Sequence, residues 1–131
     1  MRLYDIESKF TTGEFMCPCG CGFGRNESDI DPNLITKLNV VRMLYGHPMV
    51  VTSGARCLDY NTEIDGAKNS AHLPHTVTGQ CRAADILTRR GDKFRLMALA
   101  FHVGFTRIGD AENFLHLDVA WDLPQNIIFT Y

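Results

Sequence analysis

The stretch Phe114-Leu115-His116-Leu117-Asp118-Val119 alternates without a break. Successive side chains of an extended chain point to opposite faces. The alternation therefore prescribes a strand with Phe114, His116 and Asp118 on one side and Leu115, Leu117 and Val119 on the other. Its apolar side belongs to a core, and its polar side is expected to line a cleft. A chain organised around such a strand is expected to be α+β, a small antiparallel sheet flanked by helices.

The remaining elements follow from local signals. Asp31 before Pro32 marks a helix start, Leu34, Leu38, Val41 and Tyr45 recur at helical spacing, and Gly46 is a stop, so a helix is predicted over 32–45. Met49-Val50-Val51-Thr52 reads as a short buried strand ending at Ser53-Gly54. The polar stretch 57–79 reads as a long loop with a helical turn or two at 58–64, and long ordered loops usually serve a site. Ala83–Leu87 is a strand candidate. Asp92 is read as the cap of a second helix with Phe94, Met97, Ala98 and Phe101 on its buried face before Gly104. Thr106–Ile108 is a further strand. Cys17-Pro18-Cys19-Gly20-Cys21-Gly22-Phe23-Gly24 holds too many turn formers for a regular element and is expected to be an irregular loop.

The chain has 131 residues, which suits a single domain over 1–131. Hydrophobic residues at 45% and charged ones at 21% are an ordinary globular balance, which rules out wholesale disorder. Thirteen basic against fifteen acidic residues leave a net charge of -2, with no excess to neutralise a phosphate backbone, so nucleic acid is not the expected partner. Residues 1–7 lack the apolar run of a signal peptide, and no run is long enough to cross a membrane. The expectation is a soluble monomer made in the cytoplasm. Five cysteines, an odd number, argue for reduced thiols or metal ligation over a full disulfide framework.

Three features carry the chemistry: His72 in Ser70-Ala71-His72, Asp85 at the head of a strand, and His116 beside Asp118. A lone histidine is more often a structural, hydrogen-bonded residue than a ligand. Two imidazoles and a carboxylate together are a ligand set that suits catalytic Zn²⁺, with a fourth position left for water.

The ordered motifs resemble those of the zinc D-alanyl-D-alanine carboxypeptidases, the M15 peptidases, and in particular their short phage and prophage branch. They are Phe15-Met16-Cys17-Pro18-Cys19-Gly20, Ser53-Gly54-Ala55-Arg56, Asn61, Gly66 to Ser70-Ala71-His72, Gly79 with Arg82-Ala83-Ala84-Asp85, and Phe114-Leu115-His116-Leu117-Asp118. The resemblance implies a hedgehog- and DD-peptidase-like zinc peptidase fold in which His72, Asp85 and His116 hold one zinc ion. Such a site keeps about one net positive charge, which makes the metal a strong Lewis acid for water and for a peptide carbonyl. Arg56 aligns with the motif arginine and is expected to hold a substrate carboxylate or steady an oxyanion, its alternative being a structural salt bridge. Peptidoglycan stem peptides are the implied substrate, cut by a D,D- or L,D-peptidase that reaches the wall after lysis or with a virion.

Two departures bear on this assignment. The spacer between His72 and Asp85 is long, which makes His75 a rival ligand, read here as an exposed loop residue or a substrate contact. Where several branches carry an acid three residues before the last histidine ligand, this chain has Asn113, which cannot accept a proton at neutral pH. The candidate general bases are then Asp118, which shares a strand face with His116, narrowly ahead of Glu112, with Asp110 further out. The alternative for Asp118 is a carboxylate that orients a zinc-bound histidine. Cys17, Cys19 and Cys21, with Cys57 or Cys81, give a weaker signal for a structural metal because their alternation is not the usual C-x-x-C spacing. His47 and His102 read as structural or helix-end residues. The rival function is a zinc-binding structural or virion-assembly module without hydrolytic activity. A third reading, a metal-free adhesion domain, requires His72, Asp85 and His116 to lie apart.

Overall fold

The computed structural model describes residues 3–4, 8–89 and 91–131. Its first long element, α1 (Pro32–Tyr45), is fixed at both ends by local chemistry. The Asp31 carboxylate accepts the Asn33 N–H at 2.8 Å, Pro32 opens the first turn, and Gly46 closes the helix in the left-handed conformation at φ 78°. Leu34, Ile35, Leu38 and Val41 form its buried stripe.

Among the described residues five strands make one sheet: β1 (Val51–Ser53), β2 (Ala83–Leu87), β3 (Arg107–Asp110), β4 (Phe114–Asp118) and β5 (Ile127–Thr130), in the order β1-β2-β4-β3-β5. The pairs β1/β2, β2/β4 and β4/β3 are antiparallel, while β5 adds to β3 in parallel. The α+β class stands, with one parallel edge pair in place of a purely antiparallel sheet. That edge pair requires a return connection over 119–126, which carries no periodic signal in the sequence. The short helix α2 (Leu58–Glu63) lies within the polar loop, and α3 (Asp92–Val103) follows β2.

On one side of the sheet Ala84, Ile86, Ile108, Leu115 and Leu117 pack with the stripes of α1 and α3 into the main core. Each fully buried aliphatic side chain there stabilises the fold by about 1.5–3 kcal/mol. The buried face of α3 is Leu96 and Ala100, flanked by Met97, Leu99 and Val103. Phe94 and Phe101, expected inside, are 87% and 53% exposed. Two apolar stripes, one residue out of phase, run along this helix, and periodicity cannot choose between them. The winning stripe leads through Val103 into buried Phe105, so the chain leaving the helix decides the rotation. The helix cap is Gly91 at φ 88°, with Asp92 in the first turn.

Candidate active site

The opposite face of the sheet carries the polar groups, and strand register collects them. Asp85 on β2 sits across from Ser53 on β1 and His116 on β4, and His116 sits across from Gly109 on β3, itself beside Phe129 on β5. Ser53, Asp85, His116, Gly109 and Phe129 thus form one row across all five strands. His72 enters from the loop before β2. Its own N–H is steadied by the Ser70 hydroxyl at 3.2 Å, and its backbone carbonyl accepts the Arg56 N–H at 3.0 Å.

His72 Nε2, Asp85 Oδ1 and His116 Nδ1 converge: His72 to Asp85 is 3.1 Å, His116 to Asp85 2.9 Å, and the two ring nitrogens are 3.3 Å apart. All three residues are buried. Their other contacts bear on which nitrogen of each ring carries hydrogen. His72 Nδ1 lies 2.6 Å from the Gly54 carbonyl, which can only accept, so Nδ1 is the protonated nitrogen. His116 Nε2 lies 2.7 Å from Asp118 Oδ2, so that nitrogen donates to the carboxylate. With His116 neutral and its hydrogen on Nε2, two ring lone pairs and a carboxylate oxygen face one another, an arrangement that suits a cation. Donors held at about 2.0–2.2 Å around a tetrahedral zinc ion stand about 3.3 Å apart, close to the spacing here, so these residues fit that ion.

The two rings differ in their electrostatics. Burial lowers the His72 pKa below its ordinary value, and Asp85 offsets only part of the effect. His116 is desolvated too, but hydrogen bonds to Asp118 and Asp85 outweigh burial and raise it. Burial works against the Asp85 charge, yet His116 and His72 hold its carboxyl well below the usual carboxylate range.

The surrounding residues separate the other candidates. Asp118 is fully buried on the far side of the His116 ring from Asp85, and its Oδ1 accepts from Arg107 Nε at 2.8 Å and from the Ala120 N–H at 3.0 Å. Arg56 Nη2 lies 3.4 Å from Asp85 Oδ2, its Nε donates to Ser53 Oγ at 3.1 Å, and Nη1 reaches Asn61 Oδ1 at 3.4 Å. Asn61 is fixed in turn through Ala67 O, and Gly66 is required beside it because a Cβ there would lie 2.1 Å from Asn61 Oδ1. Glu112 is exposed in the turn between β3 and β4, four residues before His116. Asp110 pairs with Lys93 of α3 at 2.9 Å.

His75, expected to be exposed, has a buried side chain that meets Asp122 Oδ2 at 3.0 Å, while Asp122 Oδ1 pairs with Arg82 at 2.5 Å. The lengthened spacer therefore folds as a turn of its own, closed by the Gly79 N–H on the His75 carbonyl at 2.7 Å. A roomy surface concavity lies elsewhere, between the amino-terminal segment and α1 beside Ile35, Val40 and Met43, so size alone does not mark the reacting groups.

Sequence reasoning missed the wall supplied by β5. The Phe129 ring stands 5.3 Å from that of His116 and beneath the Arg107 guanidinium, and Tyr131 packs on both Phe129 and Phe114. His116 and Asp118 are consequently buried rather than lining an open cleft. Burial of the Tyr131 hydroxyl, then the charge of Asp85, push its pKa up to about 12, although the residue as a whole is largely exposed. The alternation of Phe129 and Tyr131 was the available signal, but two residues at an edge are too few to mark a strand.

Gly109 makes room for this wall, since a Cβ there would lie 2.6 Å from Phe129 Cε2 and 2.9 Å from His116 Cβ. Gly109→Ala is expected to lower stability in urea unfolding by about 1–3 kcal/mol, as overpacking does, while shifting His116. An unchanged unfolding midpoint would show that the row tolerates the added methyl.

Two imidazoles and a carboxylate on the polar face of such a sheet are the donor arrangement of metal-dependent hydrolases. Residues 8–118 match the family model described as peptidase M15, and the chain belongs to that family. Its class is thereby metallopeptidase. No curated protein matches the chain.

Proposed function

We propose that the protein is a zinc-dependent peptidase acting on peptidoglycan stem peptides, as a D,D- or L,D-carboxy- or endopeptidase, in the service of a phage or prophage that lyses the cell wall. The observation that carries the reading is the convergence of His72 Nε2, Asp85 Oδ1 and His116 Nδ1 to within 3.3 Å of one another. In this proposal those three residues hold one zinc ion, which when bound supplies Lewis-acid chemistry toward water and a peptide carbonyl. The Gly54 carbonyl and Asp118 are positioning groups that keep each imidazole in the ligating tautomer. Arg56 has donors to spare beyond Ser53, Asn61 and Asp85, and it binds the substrate carboxylate or the oxyanion that develops at the scissile carbonyl. Phe129 and Tyr131 give the peptide an apolar wall that excludes water from one side.

In this proposal Asp118, with both oxygens engaged, is a positioning group and not the proton acceptor. Glu112→Gln tests the other candidate base. Turnover is expected to stay within about threefold of wild type, because the Glu112 side chain is exposed in the β3–β4 turn while the three donors are buried. A loss of orders of magnitude with zinc retained would instead make Glu112 the base.

One observation favours a second reading, a zinc-binding structural or virion-assembly module: Asn113 stands where an acid is expected, and Asp118 is fully occupied. Hydrolysis of purified peptidoglycan, followed with chelation and zinc add-back beside elemental analysis, separates the two. Chelator-sensitive release of stem-peptide fragments supports the peptidase. Zinc that is lost in His116→Ala, bound in wild type without release, supports the module.

A further inference from the structure

Three cysteines alternate through the glycine-rich loop, and a fourth directly follows Arg56. We propose that Cys17, Cys19, Cys21 and Cys57 form a second metal site, a tetrathiolate that holds one structural zinc ion apart from the His-Asp-His set. All four Sγ atoms lie within 4.8 Å of one another. The resolved separations are 3.5 Å for Cys17 to Cys19, 3.6 Å for Cys19 to Cys57 and 3.8 Å for Cys17 to Cys57. Thiolates at about 2.3 Å around a tetrahedral ion stand about 3.8 Å apart, whereas a disulfide needs about 2.05 Å. The four are free thiols at the spacing of ligands, not of bonded pairs.

The surrounding backbone is arranged for sulfur that carries negative charge. The Cys57 N–H donates to Cys17 Sγ at 3.4 Å, the Tyr60 N–H to Cys57 Sγ at 3.3 Å and the Phe23 N–H to Cys21 Sγ at 3.5 Å. Donors of this kind orient ligand sulfurs and favour thiolate over thiol. The loop geometry explains why an unusual C-x-C-x-C spacing works. In an extended chain, alternate residues would stand about 6.6 Å apart in a line. Gly20 at φ 83° and Gly22 at φ 95° coil the chain instead, and the Cys17 N–H closes on the Phe23 carbonyl at 2.8 Å.

The fifth cysteine stays out. Cys81 is buried, its thiol donates to the Ala83 carbonyl at 3.2 Å, and burial pushes its pKa up to about 12. The odd count thus resolves into four ligands and one core thiol. The cross-link ties the loop to the segment that presents Gly54 to His72 and Arg56 to Asp85, and it adds to the bond from the Ala55 N–H to the Phe15 carbonyl at 2.8 Å.

The test is elemental analysis of untagged protein purified under reducing conditions without chelator. His116→Ala is expected to retain one zinc per chain, and Cys19→Ser, at an exposed ligand, one fewer than wild type. Refilled with Co²⁺, His116→Ala should show a sulfur-to-cobalt charge-transfer band in the near ultraviolet together with intense tetrahedral d–d bands. Zinc-free His116→Ala, or Cys19→Ser with the wild-type zinc content, would overturn the proposal. Should Cys19→Ser fail to fold, the zinc content and cobalt spectrum of His116→Ala decide by themselves. Failure of the His-Asp-His reading looks different: wild type and His116→Ala would then hold equal zinc, with Cys19→Ser still one equivalent lower.

Discussion

His72→Ala will reduce peptide hydrolysis by on the order of 10³-fold or more and remove one equivalent of zinc, while the protein stays folded. The expectation follows from what His72 holds and what holds it. Its Nε2 is one of three donors within 3.3 Å of one another, and its Nδ1 is spent on the Gly54 carbonyl. Two donors remain in the variant, Asp85 Oδ1 and His116 Nδ1, and two ligands do not supply the closed side of a catalytic zinc site. Stability should change far less than activity, because His72 lies on the polar face of the sheet and the main core of α1, α3 and the inner strands does not include it. Metal content, turnover and unfolding midpoint measured on one preparation separate these effects. Unchanged zinc content would remove His72 from the ligand set, and a collapsed midpoint would make it a structural histidine.

The parts of this architecture that were legible in the sequence are those decided locally. Asp31-Pro32 and Gly46 bound α1 because caps act within a turn, and the alternation at Phe114–Asp118 marks β4 because a pleat acts between neighbours. What places Asp85 across from His116 is register between strands 31 positions apart, and nothing in either segment encodes it. The three ligand candidates were nominated by motif order and donor chemistry, not by any sign that they meet. Rotation of α3 and the existence of β5 were illegible for the same reason, since each depends on where the chain goes next. The shared face of His116 and Asp118 was read correctly, but a shared face does not say which side of a ring a carboxylate takes. That detail separates a proton acceptor from a positioning group.

Asp118→Asn turns this difference into a measurement. Asp118 Oδ1 accepts from Arg107 Nε and from the Ala120 N–H, two donors that an amide nitrogen would face with hydrogens of its own. The asparagine will therefore keep its carbonyl oxygen toward Arg107 and Ala120 and turn its NH2 toward His116 Nε2. An NH2 group donates where the carboxylate accepted, so the ring hydrogen moves to Nδ1, the nitrogen 2.9 Å from Asp85 Oδ1 and 3.3 Å from His72 Nε2. With hydrogen on Nδ1 the lone pair is lost from the donor set, and zinc affinity should fall by about 10–100-fold, the usual effect of losing an orienting carboxylate. Competition against a chromophoric chelator measures that loss directly. It also distinguishes the two roles of Asp118, because a general base would reduce turnover by orders of magnitude while leaving the affinity intact. Arg107 enters the same argument from outside: its guanidinium compensates the buried Asp118 charge and dictates which oxygen the variant keeps, so the tautomer of His116 is set two contacts away from the zinc it would bind.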